Sequence, residues 1–372
     1  MHRVAISSTG IFIPPEVITN EELVLAFNSF ALLKNEKNAA AIASGVANPI
    51  APSSVEFIEK ASGIQRRYVM EKTGVLDPQR MRPHLQARPD SEISLMAEIG
   101  VAAARDALAR AGKTIDDVDG VICAAANMQR AYPAMAIEIQ TALGIKGFGF
   151  DMNVACSSAT FAIEMAVNAV KTGSARAVLV VNPEITSPHL AWKDRDCHFI
   201  FGDVCTAILI ERLDAAPAGA FEVLGTRLLT TFSNSIRNNA GFMSRSEDRD
   251  PDDRDQLFYQ EGRKVFKEVC PMAAEHITGH LAEHSLVPLN VRRFWLHQAN
   301  LSMNQLIGRK LLGRDATPDE APVILNEFAN TASAGSIISF HRHHQDVQAG
   351  EIGVICSFGA GYSIGSVVVR RT

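Results

Sequence analysis

An internal duplication constrains the fold of this chain more than any other feature of its sequence. Residues 108–127 align without gaps with residues 281–300, at an offset of 173, the difference between 281 and 108. A second match, at an offset of 174, places Cys156 opposite Asn330 in short turns of small residues. A third pairs 201–203 and 207–212 with 358–360 and 366–371. Three matches in the same order predict two related halves.

Each half shows the alternation of an α/β protein. Residues 91–111 and 159–172 carry helical patterns, and the β-branched runs at 118–124 and 177–181 predict buried strands. Helices should therefore cover sheets in layers. The Ala/Pro/Gly segment at 214–220 is typical of a linker, so we place the halves at residues 1–215 and 216–372.

Composition excludes several classes of protein. With 372 residues, 47% of them hydrophobic, the chain can bury two cores of similar size. A formal net charge of -5 argues against a nucleic-acid partner, and the apolar runs are too short to predict a membrane span. Six cysteines without a CxxC pair indicate reduced thiols and a cytoplasmic location.

Cys156 is the first candidate for chemistry. It lies in a small-residue turn that opens a helical pattern, and the positive end of a helix favours a thiolate. A lone cysteine in an apolar segment is ordinarily a core residue, but the duplication weakens that interpretation, because the paired unit carries Asn330 and, at the end of a strand, His297. A two-fold arrangement would bring all three to one central site.

Four motifs carry a resemblance to a known family. They are Asn153-Val154-Ala155-Cys156-Ser157-Ser158, Ile200-Phe201-Gly202-Asp203, His297-Gln298-Ala299-Asn300, and Asn330-Thr331-Ala332-Ser333-Ala334-Gly335-Ser336. In this order they resemble the β-ketoacyl-ACP synthase III family of the thiolase superfamily. The resemblance covers nearly the whole chain.

The resemblance implies a thiolase-like fold, with duplicated βαβαβ-type halves in α-β-α-β-α layers, and a homodimer. It implies a ping-pong reaction in which Cys156 takes an acyl group from acyl-CoA and malonyl-ACP decarboxylates to attack it. His297 and Asn330 would stabilise the malonyl thioester oxygen, and the backbone N–H groups of Cys156 and Ala360 would bind the acyl oxygen. The substrates are CoA and acyl carrier protein (ACP) thioesters, and no cofactor or metal is expected.

The family's other contacts transfer residue by residue. The resemblance implies that CoA and its pantetheine arm bind Phe57, Arg195, Gly262, Phe266, Ala299 and Asn300. It implies an ACP face at Arg263, Lys267, Arg309 and Lys310, and it places Tyr132 across the dimer in the partner's acyl pocket. This chain departs from the family pattern at Phe57, Ala61, Ser302 and Ala360, where other members commonly have Trp, Arg, Arg and Gly.

The long segment at 27–54 resembles the branch of the family that accepts medium-chain primers and makes β-ketodecanoyl-ACP, which favours octanoyl over acetyl. A non-decarboxylating acyltransferase or a quinolone-type condensing enzyme can share the Cys-His-Asn set. A cysteine thioester hydrolase could use the same three residues. A metal protein is a further alternative, because His276, His280 and His284 recur every four residues along a predicted helix.

Overall fold

The predicted alternation of strands and helices is present in the computed structural model, which describes residues 1–251 and 253–372. The strands are β1 (Val4–Phe12), β2 (Glu16–Thr19), β3 (Arg66–Val69), β4 (Gly120–Ala124), β5 (Phe148–Met152), β6 (Ala177–Glu184), β7 (Val204–Arg212), β8 (Phe221–Ser233), β9 (Ile236–Arg237), β10 (Tyr259–Gln260), β11 (Val291–Leu296), β12 (Ile352–Gly359) and β13 (Gly361–Arg371). The α-helices are α1 (Asn20–Lys37), α2 (Ala39–Ala43), α3 (Val55–Ser62), α4 (Thr73–Leu76), α5 (Leu95–Ala111), α6 (Met135–Leu143), α7 (Ser158–Thr172), α8 (Gly262–Glu283), α9 (Leu301–Leu312), α10 (Leu325–Phe328) and α11 (Gly335–Arg342).

The strands of the large sheet repeat one arrangement twice. Their order is β11-β12-β13-β8-β1-β7-β6-β4-β5. Outward from its centre, β1-β7-β6-β4 on one side matches β8-β13-β12-β11 on the other. In each series the first two pairs are antiparallel and the third is parallel. The duplication predicted from sequence is therefore a duplication of topology.

The molecule has five layers, because alternate residues of each strand pack against helices on opposite faces of the sheet. Val121 and Cys123 of β4 pack with α5 and α6 on the outer side, whereas Ile122 and Ala124 pack with α7 on the inner side. Helices α7 and α11 share this inner core, and α8 and α9 cover the second half of the sheet. The predicted α-β-α-β-α fold is confirmed.

The predicted boundary between the halves falls between β7 and β8. Residues 213–220 connect these two strands, which lie on either side of β1. Because α7 and α11 contribute to one core, the halves are joined by buried apolar surface as well as by this connection. The division at 215/216 stays a prediction.

The backbone corrects one detail of the duplication, the register of the two active turns. Ala155 and Ala332 have left-handed φ angles of 46° and 47°, and each starts a short 3-10 turn before α7 or α11. The equivalence therefore runs at an offset of 177, which sets Cys156 opposite Ser333. The predicted pairing of Cys156 with Asn330 is wrong. Small residues fit either register, and Ala329, opposite Ala155 in the predicted one, also has a positive φ of 58°; the positions of the 3-10 turns distinguish the two registers.

The correct partner of Asn330 is Asn153. The Oδ1 atom of Asn153 accepts a hydrogen bond from the N–H of Ala155 at 2.9 Å, and Oδ1 of Asn330 accepts one from the N–H of Ala332 at the same distance. Both side chains thus brace a left-handed alanine two residues later, as Asn side chains do in such turns.

The long N-terminal segment folds around α1, which a capping box at Thr19 and Glu22 begins. Two asparagines on α1 hold the returning chain by paired hydrogen bonds. Asn28 bonds the carbonyl and N–H of Ser53 at 3.0 and 2.8 Å, and Asn35 does the same at Ile50. No helix within residues 1–251 and 253–372 has the length and apolar character to cross a membrane.

Candidate active site

The three residues proposed for catalysis meet at one cavity. It has a volume of about 470 Å³, and its walls include Cys156, His297 and Asn330. Cys156 lies in the turn before α7, His297 follows β11, and Asn330 precedes α11. The fold therefore brings together side chains that are as much as 174 residues apart in the sequence.

Cys156 lies under the turn that joins β12 to β13. A β-carbon added at Gly359 would come within 2.6 Å of the Cys156 β-carbon and 3.1 Å of Sγ, so this turn passes as close as a glycine allows. The backbone N–H groups of Ala360 and of Cys156 itself interact with the sulfur and lower the pKa of the thiol. These are the two donors predicted for the acyl oxygen.

Burial raises the pKa of the Cys156 thiol to about 12, and the charge of Glu184 acts in the same direction. The N–H groups of Ala360 and Cys156 oppose this shift without overcoming it. The thiolate predicted from the position at the start of a helix is therefore outweighed by desolvation. The free thiol keeps its proton at neutral pH.

His297 is a neutral imidazole. It is buried, and burial lowers its pKa to about 3. Its backbone N–H donates to the carbonyl of Cys356 at 2.8 Å, and its ring meets the Phe358 ring edge-on at 5.2 Å between centroids. A neutral ring held in this way offers one N–H donor without placing a positive charge in the cavity.

Asn330 presents its amide nitrogen to the cavity. Its N–H donates to the carbonyl of Ile200 at 2.9 Å, and its carbonyl accepts from the N–H of Gly202 at 3.1 Å. Because its Oδ1 accepts from the N–H of Ala332, the orientation of the amide is fixed and Nδ2 remains as a donor.

Several of the predicted pantetheine and carrier-protein residues lie on the same cavity. Its walls include Gly262, Phe266, Ala299 and Asn300, together with Arg263 and Lys267. Asn300 has a structural role as well: its Oδ1 accepts from Ser302 N–H at the start of α9, and its Nδ2 donates to the carbonyl of Ala61 at 2.7 Å.

Other predicted contacts lie away from this cavity. The guanidinium of Arg195 covers the face of Phe57 at 3.8 Å from the ring centroid, and Arg195 Nε donates to the carbonyl of Pro52 at 2.7 Å. The predicted stacking of a nucleotide on Phe57 thus requires this guanidinium to move. Arg309 is paired with Asp315, and the Tyr132 side chain is 84% exposed. Lys310, in the last turn of α9, also lies outside the cavity.

Sequence reasoning missed most of the apolar wall and one buried carboxylate. The additional apolar wall residues are Phe199, Ile200, Phe201, Ile236, Phe258, Val265, Val269, Met303 and Phe358. They come from six separate segments, so no local pattern marks them. Glu184 ends the buried strand β6, where an acidic residue in an apolar run was a usable signal.

Two of the three histidines considered for a metal have hydrogen-bond partners within the protein, and the third, His284, packs its ring against His280. His280 Nδ1 is 2.7 Å from the hydroxyl of Ser366, and His276 Nε2 is 3.1 Å from the carbonyl of Arg227. Across the described ranges, no group of three or more His, Cys, Asp or Glu side chains could hold a metal ion.

Comparison with known proteins gives consistent matches. The model of 3-oxoacyl-[acyl-carrier-protein] synthase III matches residues 150–228, and the model of its C-terminal part matches 281–371. The chain is 59% identical over 347 residues to the beta-ketodecanoyl-[acyl-carrier-protein] synthase of Pseudomonas aeruginosa, covering 93% of this chain and 99% of that one. It is 27% identical to the beta-ketoacyl-[acyl-carrier-protein] synthase III of Granulibacter bethesdensis, over 100% of both chains.

Solved structures give the same fold. The crystal structure of 3-oxoacyl-(acyl carrier protein) synthase III from Pseudomonas aeruginosa superposes with a TM-score of 0.77 at 20% identity, covering 99% of this chain and 98% of that one.

Proposed function

The chain belongs to the 3-oxoacyl-[acyl-carrier-protein] synthase III family and is a condensing acyltransferase, and from this premise we propose that Cys156 carries an acyl group from CoA to malonyl-ACP. The single observation that carries the assignment of roles is the cavity geometry. The side chains of Cys156, His297 and Asn330 share its wall, and the backbone N–H groups of Cys156 and Ala360 are near enough to the thiol to lower its pKa.

In the first half-reaction the Cys156 sulfur attacks the acyl-CoA carbonyl. The N–H groups of Cys156 and Ala360 stabilise the oxyanion that forms, the carbon–sulfur bond to CoA breaks, and the thiol proton leaves with the CoA thiolate as CoA-SH. The product is a thioester on Cys156. Because the free thiol is protonated, deprotonation contributes to the barrier of this step.

In the second half-reaction malonyl-ACP loses carbon dioxide. The electron pair of the broken carbon–carbon bond passes into the thioester, and His297 and Asn330 donate hydrogen bonds to the enolate oxygen. One such donor contributes about 3–4 kcal/mol to transition-state stabilisation. The enolate carbon then attacks the Cys156 thioester, giving β-ketoacyl-ACP and returning the thiolate, which takes a proton. Neutral His297 suits this role, because it donates without itself changing charge.

We propose a medium-chain primer such as octanoyl-CoA. The relative at 59% identity is named a β-ketodecanoyl synthase, and condensation of an eight-carbon primer with malonyl-ACP gives a ten-carbon product. The cavity wall is largely apolar, and an apolar wall binds an acyl chain more favourably than it binds a polar group. The product would enter fatty acid biosynthesis.

The remaining partners are proposals of the same kind. Arg263 and Lys267 on the cavity wall suit the phosphate of the pantetheine arm and the acidic surface of ACP. A homodimer would place Tyr132 beside the partner's acyl pocket. All six cysteines are free thiols, which supports a cytoplasmic location.

The test is the intact mass of the protein after exposure to acyl-CoAs of two to twelve carbons, followed by malonyl-ACP. We expect wild type to gain one acyl group, Cys156→Ala to gain none, and malonyl-ACP to convert the adduct to β-ketoacyl-ACP. Release of free acid instead would favour a thioester hydrolase. Transfer without loss of carbon dioxide would favour the non-decarboxylating or quinolone-type alternatives.

A further inference from the structure

Glu184 is a buried carboxyl group beside the site that the proposed reaction does not use. Its side chain is 1% exposed at the end of β6, between the segments that carry the catalytic residues. It accepts hydrogen bonds from the N–H of Ala126 at 3.0 and 3.1 Å, from the N–H of Ser333 at 3.0 Å and from the Ser333 hydroxyl at 2.5 Å. A buried carboxylate needs such partners to offset its lost hydration.

The contacts of Glu184 lead to Asn330 through two residues, Ser333 and Ala332. Ser333, which Glu184 holds, follows Ala332 with its unfavourable left-handed φ of 47°. The N–H of Ala332 is the donor that fixes Oδ1 of Asn330. If Ser333 moved, Ala332 could relax to an ordinary conformation and the Asn330 amide would turn away from the cavity.

The turn that carries Cys156 is held by other side chains. The N–H of Val154 donates to the Ser158 hydroxyl at 2.8 Å, and Asn153 accepts from Ala155. Ser158 in turn reaches the carbonyls of Ala155 and Ala125. The two equivalent turns are therefore held by different hydrogen bonds. Ser333, which occupies the position equivalent to Cys156, is hydrogen-bonded to Glu184.

We infer that Glu184 is a positioning residue for the condensation half-reaction only, acting through Ser333 and Ala332 on the amide of Asn330. This inference rests on the proposed function, since it assigns Asn330 to the malonyl step. Burial raises the pKa of Glu184 to about 7, and its charged form raises the pKa of Cys156, so the carboxylate gives no assistance to acylation. Neutralising it should slow condensation without slowing acylation.

The experiment measures both half-reactions in Glu184→Gln. Acylation is followed by intact mass after rapid mixing with octanoyl-CoA, and condensation by the decay of the preformed acyl-enzyme on mixing with malonyl-ACP. A glutamine keeps one acceptor oxygen but replaces the other with an NH2 group, which faces N–H groups that donated to the carboxylate, so the attachment of the turn is weakened. We expect condensation to slow by about tenfold to a hundredfold, and acylation to stay within about threefold of wild type or to accelerate.

Two variants complete the design. Ser333→Ala removes the hydroxyl donor and should likewise slow condensation without slowing acylation. Glu222→Gln removes another buried carboxylate, which is paired with Arg3 and Arg370 at the start of β8, and should leave both half-reactions unchanged. Melting temperatures of all variants report any general loss of stability.

Equal losses in both half-reactions of Glu184→Gln, or no loss in condensation, would overturn the inference. Failure of the proposed function has a different signature, because wild type itself would then form no adduct or no β-keto product. That result would remove this inference as well.

Discussion

At the residue scale, the close approach of Gly359 to Cys156 gives a direct prediction. Gly359→Ala places a methyl group 2.6 Å from the Cys156 β-carbon, so the sulfur or the Ala360 N–H must move. We expect acyl-enzyme formation to slow by about a hundredfold. Rapid-mixing mass spectrometry with octanoyl-CoA measures it.

The control for this change is Gly241→Ala. An added β-carbon at Gly241 meets no heavy atom within 4 Å, and that variant should acylate at the wild-type rate. A wild-type rate in Gly359→Ala would show that the turn is not held against the nucleophile.

Buried histidines make the stability of the protein sensitive to acid. Burial lowers the pKa of His198 to about 4, and its ring stacks on Phe27 at 4.5 Å between centroids. The unfolded chain, with a histidine pKa near 6.5, binds this proton more readily than the folded one. The free energy of unfolding therefore falls as pH decreases from about 6.5 towards 4, by up to about 1.4 kcal/mol per pH unit for this group.

The prediction concerns the slope of this dependence. His198→Gln should reduce the slope of the free energy of unfolding against pH between pH 4 and 6 by the contribution of about one bound proton. The variant should also be less stable than wild type at pH 7. Urea titrations at several pH values measure it, and the exposed His84→Gln is the control. An unchanged slope would mean that His198 is protonated in the folded protein.

Sequence motifs selected Cys156, His297 and Asn330 as candidates, because turns of small residues and a strand end mark them locally, and the three line one cavity. They could not reveal that Asn330 corresponds to Asn153 and Cys156 to Ser333, since that equivalence lies in the 3-10 turns and the Asn hydrogen bonds that brace them. Nor did the sequence show whether the helix end, which lowers the pKa of the Cys156 thiol, or burial, which raises it, has the larger effect. Burial depends on atoms brought from distant segments, and its effect on this pKa is the larger.

At the scale of elements, the start of α9 links the two halves beside the cavity. Asn300 caps this helix through Ser302 N–H and also binds the carbonyl of Ala61, at the end of α3. Asn300→Ala removes both interactions and should lower the free energy of unfolding by about 1–2 kcal/mol.

Asn300→Ser separates the two interactions. A serine keeps the cap but is too short to reach Ala61, so it should recover about half of the loss. Urea unfolding of the three proteins gives the comparison. Equal stability of the alanine and serine variants would mean that the cap contributes nothing and the contact with Ala61 carries the effect.

Element boundaries followed from sequence where a local signal existed. The helix predicted at 91–111 begins at Leu95 because Ser94 caps it. The strand predicted at 177–181 continues to Glu184, since its pairing with β7 extends through Pro183. The arrangement of α1 against residues 50–53 had no comparable signal, because Asn28 and Asn35 bind main-chain groups that any sequence could provide.

At the scale of the whole molecule, the two edges of the large sheet differ. The edge at β11 is covered, because Phe294 N–H donates to the carbonyl of Glu320 at 2.7 Å. The edge at β5 is open, and Phe148 and Phe150 on it are 37% and 39% exposed. An open edge with aromatic side chains favours pairing with another chain.

We therefore expect β5 to form the centre of the proposed homodimer. Phe150→Lys should shift the protein towards monomer, because it places a charge in the paired edge. Light scattering after size-exclusion chromatography measures the mass. Phe242→Lys, in a surface loop, should remain dimeric, and a dimeric Phe150→Lys would assign the interface to another surface.

The fold class could be predicted because duplication is visible at the whole-chain scale. The shared inner layer of α7 and α11 explains why the halves keep the same topology while their turns differ in chemistry. What the sequence left undetermined was the cavity wall, whose residues are close only after both halves have packed.

The dispersed origin of the site also affects the protein while it is being made. A ribosome adding about 5–20 residues per second needs about 10–40 s to proceed from Cys156 to Ala360. During that interval the thiol has neither the Gly359 turn nor the His297 and Asn330 donors around it. Under the proposed reaction, acyl-CoA would therefore meet an ordinary cysteine on the nascent chain, and acyl transfer to Cys156 would begin only once the second half has folded against the first.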